Sequence, residues 1–342
     1  MLEKNNKFKL VKIEKNLIPS NLLTDRFIVP PFSVFDTRQG YWQERKRLWK
    51  SLGIQSELGR GDNLTYNLGS FDYEDEKKRQ EELKDNKFGK CLPDSIGEAY
   101  GRSVHATSIF DPVLTEIMYR WFSRKGDKII DPFAGGSVRG IVAACLGRNY
   151  TGIDLSENQI EANKIQFKEM KEKFNNIEGD INWINGDSLN CKELANGTYN
   201  MLMTCPPYYD LEVYSDKEND ISNMGTYEEF LETYEKIIKN ACEMLEDDSF
   251  AVCVVGNMRN HKDGAYYDFA GDTVRAFQKA GLIYYNEGIL VNVTGTLPVR
   301  IGKQFNGGRK LGRQHQSVLI FYKGDTKNIK TKFPELTSLN NI

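Results

Sequence analysis

The sequence predicts an α/β fold in which helices cover both faces of a doubly wound, mainly parallel sheet. Three observations carry this prediction. From about residue 105 onward, short apolar runs typical of strands alternate with segments whose apolar residues recur at helical spacing. Asp131, Asp154 and Asp187 stand at the ends of the first three strands, where open α/β sheets bind ligands. Near the carboxyl end of the chain, two strands follow one another without a predicted helix between them, which predicts an antiparallel hairpin at the edge of the sheet.

The predicted elements follow one another in a regular order. The seven strands are Lys128 to Asp131, Tyr150 to Asp154, Ile181 to Asn185, Met201 to Thr204, Phe250 to Val255, Ile283 to Val293 and Gln316 to Tyr322. The helices are Phe110 to Phe122, Ser137 to Leu146, Glu157 to Lys173, Tyr227 to Leu245 and Asp268 to Ala280. Between the last two strands, the segment from Thr294 to Gln314 is rich in Gly, Arg and Gln and is predicted as a loop.

Composition narrows the class of protein. The chain has 342 residues, enough for one large α/β domain with an attachment or for two domains. Hydrophobic residues make up 39% and charged residues 27%, as in soluble globular proteins. Six scattered cysteines without a Cys-x-x-Cys pair, and only three histidines, argue against a zinc site. Neither a signal peptide nor an apolar stretch of ~20 residues is visible, so we expect a cytoplasmic protein.

The first hundred residues differ from the rest of the chain. We predict an N-terminal extension (1–100), a main domain (101–326) and a C-terminal tail (327–342). In the extension, Trp42 and Trp49 lie seven residues apart among basic residues and share one helical face with Arg45 or Lys46. Two interpretations stay open. The helix docks its aromatic side chains on the main domain, or it forms a basic, aromatic surface that contacts DNA.

The segment Asp131-Pro132-Phe133-Ala134-Gly135-Gly136 forms the first strand-to-helix turn, where a cofactor can approach the backbone. Asp154 follows about 20 residues later, a spacing that suits an acid binding ribose hydroxyls. Each acid, Asp187 included, could instead be a helix N-cap. Neither glycine-rich phosphate motif, Gly-x-Gly-x-x-Gly or Gly-x-x-x-x-Gly-Lys-Ser/Thr, is present. An acid at this turn repels phosphate but suits a sulfonium or ammonium group, which favours S-adenosylmethionine over NAD or ATP.

A second motif, Thr204-Cys205-Pro206-Pro207-Tyr208-Tyr209, follows the fourth strand. A rigid diproline beside aromatic rings suits a slot for a flat base. An alternative interpretation is a purely structural loop corner that is filled by aromatic side chains. Together the two motifs predict a methyl-donor pocket next to a base pocket.

With these motifs the sequence resembles the S-adenosylmethionine-dependent DNA amino-methyltransferases, which modify adenine N6 or cytosine N4. DPFAGG is similar to the family's cofactor motif Asp-Pro-Phe-x-Gly-Ser/Gly, and TCPPY to its catalytic motif Asp/Asn/Ser-Pro-Pro-Tyr. The segment 105–110, HATSIF, resembles the motif that helps to hold the methionine end of the cofactor. The resemblance covers about residues 101 to 325. The N-terminal segment, together with LPVRIGKQF and RKLGRQHQ, looks especially like methylases encoded by bacteriophages.

The resemblance implies a Rossmann-like methyltransferase sheet, S-adenosylmethionine as cofactor, DNA as partner and no metal. It implies these cofactor-binding residues: Ser108, Phe110, Asp131, Phe133, Gly135, Gly136, Asp154 and Asp187. Asp131 and the glycine turn would border the methionine portion, Asp154 would bind the ribose hydroxyls, and Asp187 would receive the adenine amino group. It implies these catalytic residues: Cys205, Pro206, Pro207, Tyr208 and Tyr209. One tyrosine would stack on the extruded base while the other packs.

Cys205 departs from the family motif, because a thiol is a weak hydrogen-bond acceptor. Three alternatives stay open. Cys205 is a tolerated isostere, and the Pro206 carbonyl polarises the amine; or Asp210 or Glu212 supplies the acceptor; or the thiol is a nucleophile for methylation of carbon 5. The similarity of cysteine to serine points to cytosine N4, while the order of the motifs points to adenine N6.

No Asp or Glu occurs from Gly288 to Gly324, so this part of the chain is a candidate phosphate-contacting surface, or else a solvated loop and strand. The candidate DNA-binding residues are Arg300, Lys303, Gln304, Arg309, Lys310 and Arg313. The predicted activity is methyl transfer to the exocyclic amine of a flipped DNA base, as in restriction–modification. The alternatives are an RNA base methyltransferase and a catalytically impaired protein that binds S-adenosylmethionine and DNA.

Overall fold

A mostly parallel sheet of eight strands organises the described residues, which in this computed structural model are 27–55, 110–209, 217, 219–260, 262–295 and 297–336. The strands are β1 Val34–Asp36, β2 Lys128–Asp131, β3 Asn149–Asp154, β4 Ile181–Asn185, β5 Tyr199–Thr204, β6 Leu245–Val255, β7 Met258–Arg259, β8 Tyr266–Tyr267, β9 Ile283–Val291 and β10 His315–Lys323. Their order across the sheet is β1-β9-β10-β6-β5-β2-β3-β4. β10 runs antiparallel to both of its neighbours, and β7 and β8 form a separate hairpin.

The helices of the described residues cover both faces of this sheet. They are α1 Gly40–Ser51, α2 Pro112–Phe122, α3 Val138–Cys145, α4 Glu157–Lys173, α5 Cys191–Ala195, α6 Tyr227–Glu243, α7 Phe269–Lys279, α8 Leu297–Gly308 and α9 Ile329–Lys332. Because side chains alternate along a strand, Ile129 packs in the core with α1 to α4, and Ile130 packs in a second core with α5 to α7. The predicted doubly wound α/β architecture is confirmed.

Two predictions are wrong: the number of strands in the sheet, and the loop between the last two strands. The sheet has eight strands rather than seven, because β1 pairs in parallel with β9 outside the antiparallel pair β9–β10. β1 spans only three residues, too few to show an alternating pattern, and its partner strand lies about 250 residues away along the chain. The predicted loop between the last two strands contains helix α8, whose Leu297 and Ile301 lie against Gly312.

Helix α1 docks on α2 through its aromatic face. Trp42 and Trp49 are fully buried, and Arg45 forms a buried bidentate ion pair with Glu116, at 2.5 and 2.6 Å. The indole Nε1 of Trp49 donates to the same carboxylate at 2.9 Å. The aromatic face of α1 thus packs on α2, as in the docking interpretation. Arg45 is buried in this contact and is not part of an exposed basic surface.

Helix α6 shows why the sequence specifies these elements. Thr226 and Glu229 form a reciprocal capping box that satisfies the first backbone N–H groups. One face of the helix then carries its buried side chains at spacings of three and four, namely Phe230, Tyr234, Ile237 and Ala241. The Phe230 ring on this face lies 5.6 Å from the ring of Tyr209. None of the helices in the described part combines the length and apolar character that crossing a membrane requires.

Candidate active site

The two sequence motifs meet at the carboxyl ends of β2 and β5, which are adjacent parallel strands. The Thr204 hydroxyl donates a hydrogen bond of 2.6 Å to Oδ1 of Asp131. Thr204 immediately precedes Cys205, and Asp131 begins the glycine-rich turn. The predicted methyl-donor and base halves are therefore joined by one buried contact.

Asp131 is fully buried and accepts from four donors. Besides Thr204, the Nε of Arg139 and the hydroxyl of Tyr150 each donate to Oδ2 at 2.6 Å, and the Phe133 amide donates to Oδ1 at 3.1 Å. Burial alone would lower the pKa of Arg139, but the carboxylate beside it raises that pKa overall. Arg139 therefore compensates the charge of Asp131 inside the protein, and the position of Asp131 at the border of the methionine portion stays a prediction.

Arg139 is a site residue that sequence reasoning missed. Its Nη2 donates to the carbonyls of Phe133 and Ala134 at 2.6 and 3.0 Å, so the guanidinium holds the DPFAGG turn from inside. The same group lies 4.6 Å from the ring centroid of Phe110. The available signal was an arginine within the otherwise apolar helix segment VRGIVAAC, because an arginine is rarely buried unless it is paired.

Gly135 adopts a φ of +51°, a conformation that favours glycine, and nothing lies within 4 Å of the position that a Cβ would occupy. Its amide donates to Oδ2 of Asp154 at 2.9 Å, and its carbonyl accepts from Nδ2 of Asn163 at 2.8 Å. The turn is therefore fixed to the end of β3 and to α4, with open space beside Gly135.

Asp154 is partly buried at the end of β3. Burial raises its pKa from 3.8, although the amides of Ser156 and Gly135 lower it by donating to the two carboxylate oxygens. Each carboxylate oxygen has a second lone pair, so Asp154 retains acceptor capacity for a pair of hydroxyls.

Asp187 has the N-cap role that the sequence left open. Its Oδ1 accepts from the Leu189 amide at 2.9 Å at the start of the 3₁₀ turn Ser188–Asn190. Its Oδ2 accepts from Nδ2 of Asn219 at 2.9 Å. The predicted cofactor residue Phe133 is partly buried and stacks on Tyr234, whereas Ser108 lies outside the described residues.

The two adjacent tyrosines of the predicted catalytic motif, Tyr208 and Tyr209, have different surroundings. Tyr209 is buried, with its ring 5.6 Å from those of Tyr227 and Phe230. Tyr208 is partly buried; its hydroxyl accepts from Nε2 of Gln316 at 3.0 Å, and its ring lies edge-on to Phe269. Tyr208 is therefore the tyrosine that remains partly open to a ligand.

Pro206 is buried, while Cys205 and Pro207 are partly buried. Cys205 directly follows Thr204, whose hydroxyl donates to Asp131, so the motif joins the buried network around Asp131 at this residue. The alternative acceptors Asp210 and Glu212 lie outside the described residues.

The candidate DNA-binding residues lie on α8 and just after it. Lys303, Gln304, Arg309 and Lys310 are exposed. Arg313 is partly buried, and its guanidinium donates to the backbone carbonyls of His315, at 2.9 Å, and Asn257. The side chain of Arg300 is outside the part of the chain that the structure describes.

Solved structures with similar folds include several methyltransferases at low sequence identity. TrmN from Thermus thermophilus is 13% identical, with a TM-score of 0.41, over 63% of this chain and 49% of that chain. A methyltransferase from Pyrococcus furiosus is 17% identical, with a TM-score of 0.40, over 73% of this chain and 100% of that chain.

Sequence comparisons give a more specific result. The type II methyltransferase M.HinfI of Haemophilus influenzae is 32% identical over 83 residues, which are 24% of this chain and 23% of that protein. The chain thus matches less than a quarter of the length of this curated relative. The sequence model of the family described as DNA methylase matches residues 37–165, which include the DPFAGG turn. This match confirms, over residues 37–165, the resemblance to DNA amino-methyltransferases that the motifs predicted.

Proposed function

We propose that this protein transfers a methyl group from S-adenosylmethionine to the exocyclic amine of a DNA base that has rotated out of the duplex. The observation that carries the proposal is the contact between the two motifs, in which Thr204 donates to Asp131 across the ends of β5 and β2. The family match supports it over residues 37–165, and the type II name of the relative supports a role in restriction–modification.

The residues around the glycine turn fit the proposed cofactor. S-adenosylmethionine supplies an electrophilic methyl group on a sulfonium centre. Asp154 has the acceptor capacity that ribose hydroxyls need, and the space beside Gly135 allows close approach to the backbone. Asp187, with Phe133, would border the adenine end. Asp131 is a positioning residue in this proposal, because it fixes the turn through Arg139 instead of facing the ligand.

The catalytic motif would bind the extruded base. The lone pair of an exocyclic amine is delocalised into the ring, so an enzyme helps by accepting hydrogen bonds from the amine. We assign this role to the Pro206 carbonyl, with Cys205 beside it, and we assign base stacking to Tyr208. Rotating the base out of its stack costs a few kcal/mol, which stacking and hydrogen bonds in the pocket must offset. Positioning and electrostatics then carry the catalysis.

The exposed cations would contact DNA. Lys303, Arg309 and Lys310 can neutralise phosphates, and Gln304 can read a base edge. Arg300 and Arg313 belong to the same acid-free part of the chain. DNA is therefore the proposed partner, with adenine N6 and cytosine N4 as the two target atoms.

The proposal is tested by expressing the protein in a host that lacks its own DNA methylases and measuring modified nucleosides by mass spectrometry. We expect N6-methyladenine or N4-methylcytosine in the host DNA, and neither with the variant Tyr208→Ala once it is shown to fold. Appearance of 5-methylcytosine would instead support Cys205 as a nucleophile. Methyl label in RNA alone would support the RNA alternative, and cofactor binding without any transfer would support the impaired protein.

A further inference from the structure

We propose that the hairpin formed by β7 (258–259) and β8 (266–267) contacts the phosphodiester backbone of the DNA strand that carries the target base. This inference rests on the proposed function and adds a surface to it, since the candidate DNA-binding residues named above all lie between 300 and 313.

The position of the hairpin is the first argument. It begins three residues after β6, whose Cys253 pairs with Thr204 of β5, so it stands at the same edge of the sheet as both motifs. Because side chains alternate along a strand, Met258 and Tyr267 point inward; Met258 is 4% exposed. The Tyr267 ring lies 5.7 Å from the ring of Tyr209. The hairpin therefore packs directly on the catalytic motif.

The outward side of the hairpin carries a preformed cation. Arg259 and Tyr266 are register partners, and the guanidinium carbon lies 3.9 Å from the ring centroid. Nη1 of Arg259 donates to the Gly264 carbonyl at 2.8 Å, which holds the group over the face of the ring. Tyr266 is 49% exposed. A guanidinium held on an aromatic face keeps further N–H donors for a phosphate and loses little entropy on binding.

Two cations from other parts of the chain flank the hairpin. The Arg313 guanidinium packs against Gly256, where a Cβ would lie 3.2 to 3.4 Å from its atoms. The Lys310 side chain packs against Gly264 in the hairpin turn, where a Cβ would lie 2.5 Å from Nζ. The nearby carboxylates are engaged with backbone amides: Asp263 accepts from Ala265, and Asp268 caps α7.

The cluster also lies close to the proposed base-binding residue. Nε of Arg313 donates to the His315 carbonyl at 2.9 Å, and the next residue, Gln316, donates through Nε2 to the Tyr208 hydroxyl at 3.0 Å. Arg313 thus lies in the segment that contacts the proposed stacking tyrosine, while its guanidinium packs against Gly256 beside the hairpin. Arg259 in the hairpin, together with Lys310 and Arg313 just after α8, places three cations around one exposed ring, and these match the phosphates on either side of an extruded nucleotide.

The test measures binding of a short fluorescein-labelled DNA duplex of mixed sequence by anisotropy over a series of salt concentrations. Each phosphate contact contributes about 0.9 to the slope of log K against log salt concentration on duplex DNA. We expect Arg259→Gln to reduce the magnitude of the slope by about 0.9 and Arg259→Lys to retain it. The matched control is Lys236→Gln on α6, which neutralises an exposed cation paired with Glu232 far along the chain from the hairpin.

An unchanged slope for Arg259→Gln would overturn the proposal. If that variant does not fold, Lys310→Gln is measured instead, with the same expected reduction of the slope. Lys310 makes no hydrogen bond that the structure shows among the described residues, so its replacement should leave the fold intact. An unchanged slope for Lys310→Gln would overturn the proposal equally. Methyl transfer is measured separately. Wild-type protein that methylates DNA while Arg259→Gln binds like wild type contradicts the hairpin proposal alone. Predicted slopes without any transfer contradict the proposed reaction alone.

Discussion

Replacing Arg139 by methionine tests whether the buried network around Asp131 holds the cofactor turn. The side chains of Arg139 and Asp131 are 5% and 0% exposed, so the substitution leaves a buried carboxylate without its cation. Breaking a buried ion pair in this way costs about 3–5 kcal/mol. The carbonyls of Phe133 and Ala134 also lose their donor. We expect Arg139→Met to lower the free energy of unfolding by about that amount and to weaken cofactor binding.

The measurement is urea unfolding followed by fluorescence, with the cofactor affinity determined by calorimetry. The matched control is Arg275→Met, which removes an exposed ion pair with Asp272 and should cost about 0–1 kcal/mol. The double variant Asp131→Asn, Arg139→Met should recover part of the loss, since the charge that needs compensation is gone. If Arg139→Met unfolds outright, Tyr150→Phe removes one donor and should cost about 1.5–3 kcal/mol. A loss for Arg139→Met no larger than that of the control would refute the reasoning.

Three further predictions concern single side chains. Burial raises the pKa of Glu116, but Arg45 and other donors outweigh it and lower that pKa from 4.5 to about 2. The ionised carboxylate therefore stabilises the fold above pH 4.5, and this stability is lost as the pH falls towards 2. Unfolding curves should show wild type losing about 3 kcal/mol more than Glu116→Gln over this window, and parallel losses would contradict the assignment. Asp154→Asn should weaken S-adenosylmethionine binding about 10- to 100-fold by calorimetry, and an unchanged affinity would exclude Asp154 from the site. Cys205→Ser should keep kcat/KM within about tenfold of wild type, whereas complete loss with intact cofactor binding would indicate a covalent role.

The sheet and the position of the two motifs were predictable because they depend on local pattern. Short apolar runs mark β2 and β5, and the motifs follow their ends directly. Strand β1 was not predictable, because three residues show no period and the strand forms only against β9. Helix α8 had partial signals, with Pro298 near its start and two glycines at its end, but the same glycines suggested a loop.

The site was predictable only at the level of its motifs. The spacing of Asp131, Asp154 and Asp187 indicated three strand ends, yet it gave no sign that Asp131 faces inward while Asp154 keeps open acceptor positions. That difference arises from Arg139, which lies eight residues from Asp131 and reaches it only because α3 packs back over the turn. Likewise, nothing in the pair Tyr208-Tyr209 tells which ring is buried.

The Asp131 carboxylate couples the two halves of the site physically. It accepts from Arg139 of α3, the helix that follows the glycine turn. It also accepts from Tyr150 of β3, the strand that ends in Asp154, and from Thr204 of β5, which immediately precedes the Cys205 to Tyr209 motif. A buried charge with all its donors satisfied resists displacement, because moving any donor leaves part of the carboxylate unpaired. The glycine turn and the diproline therefore cannot shift independently. The proposed methyl transfer needs the two reacting atoms in line, and under that proposal a shared buried acceptor is a means of keeping the alignment when DNA binds at one side only.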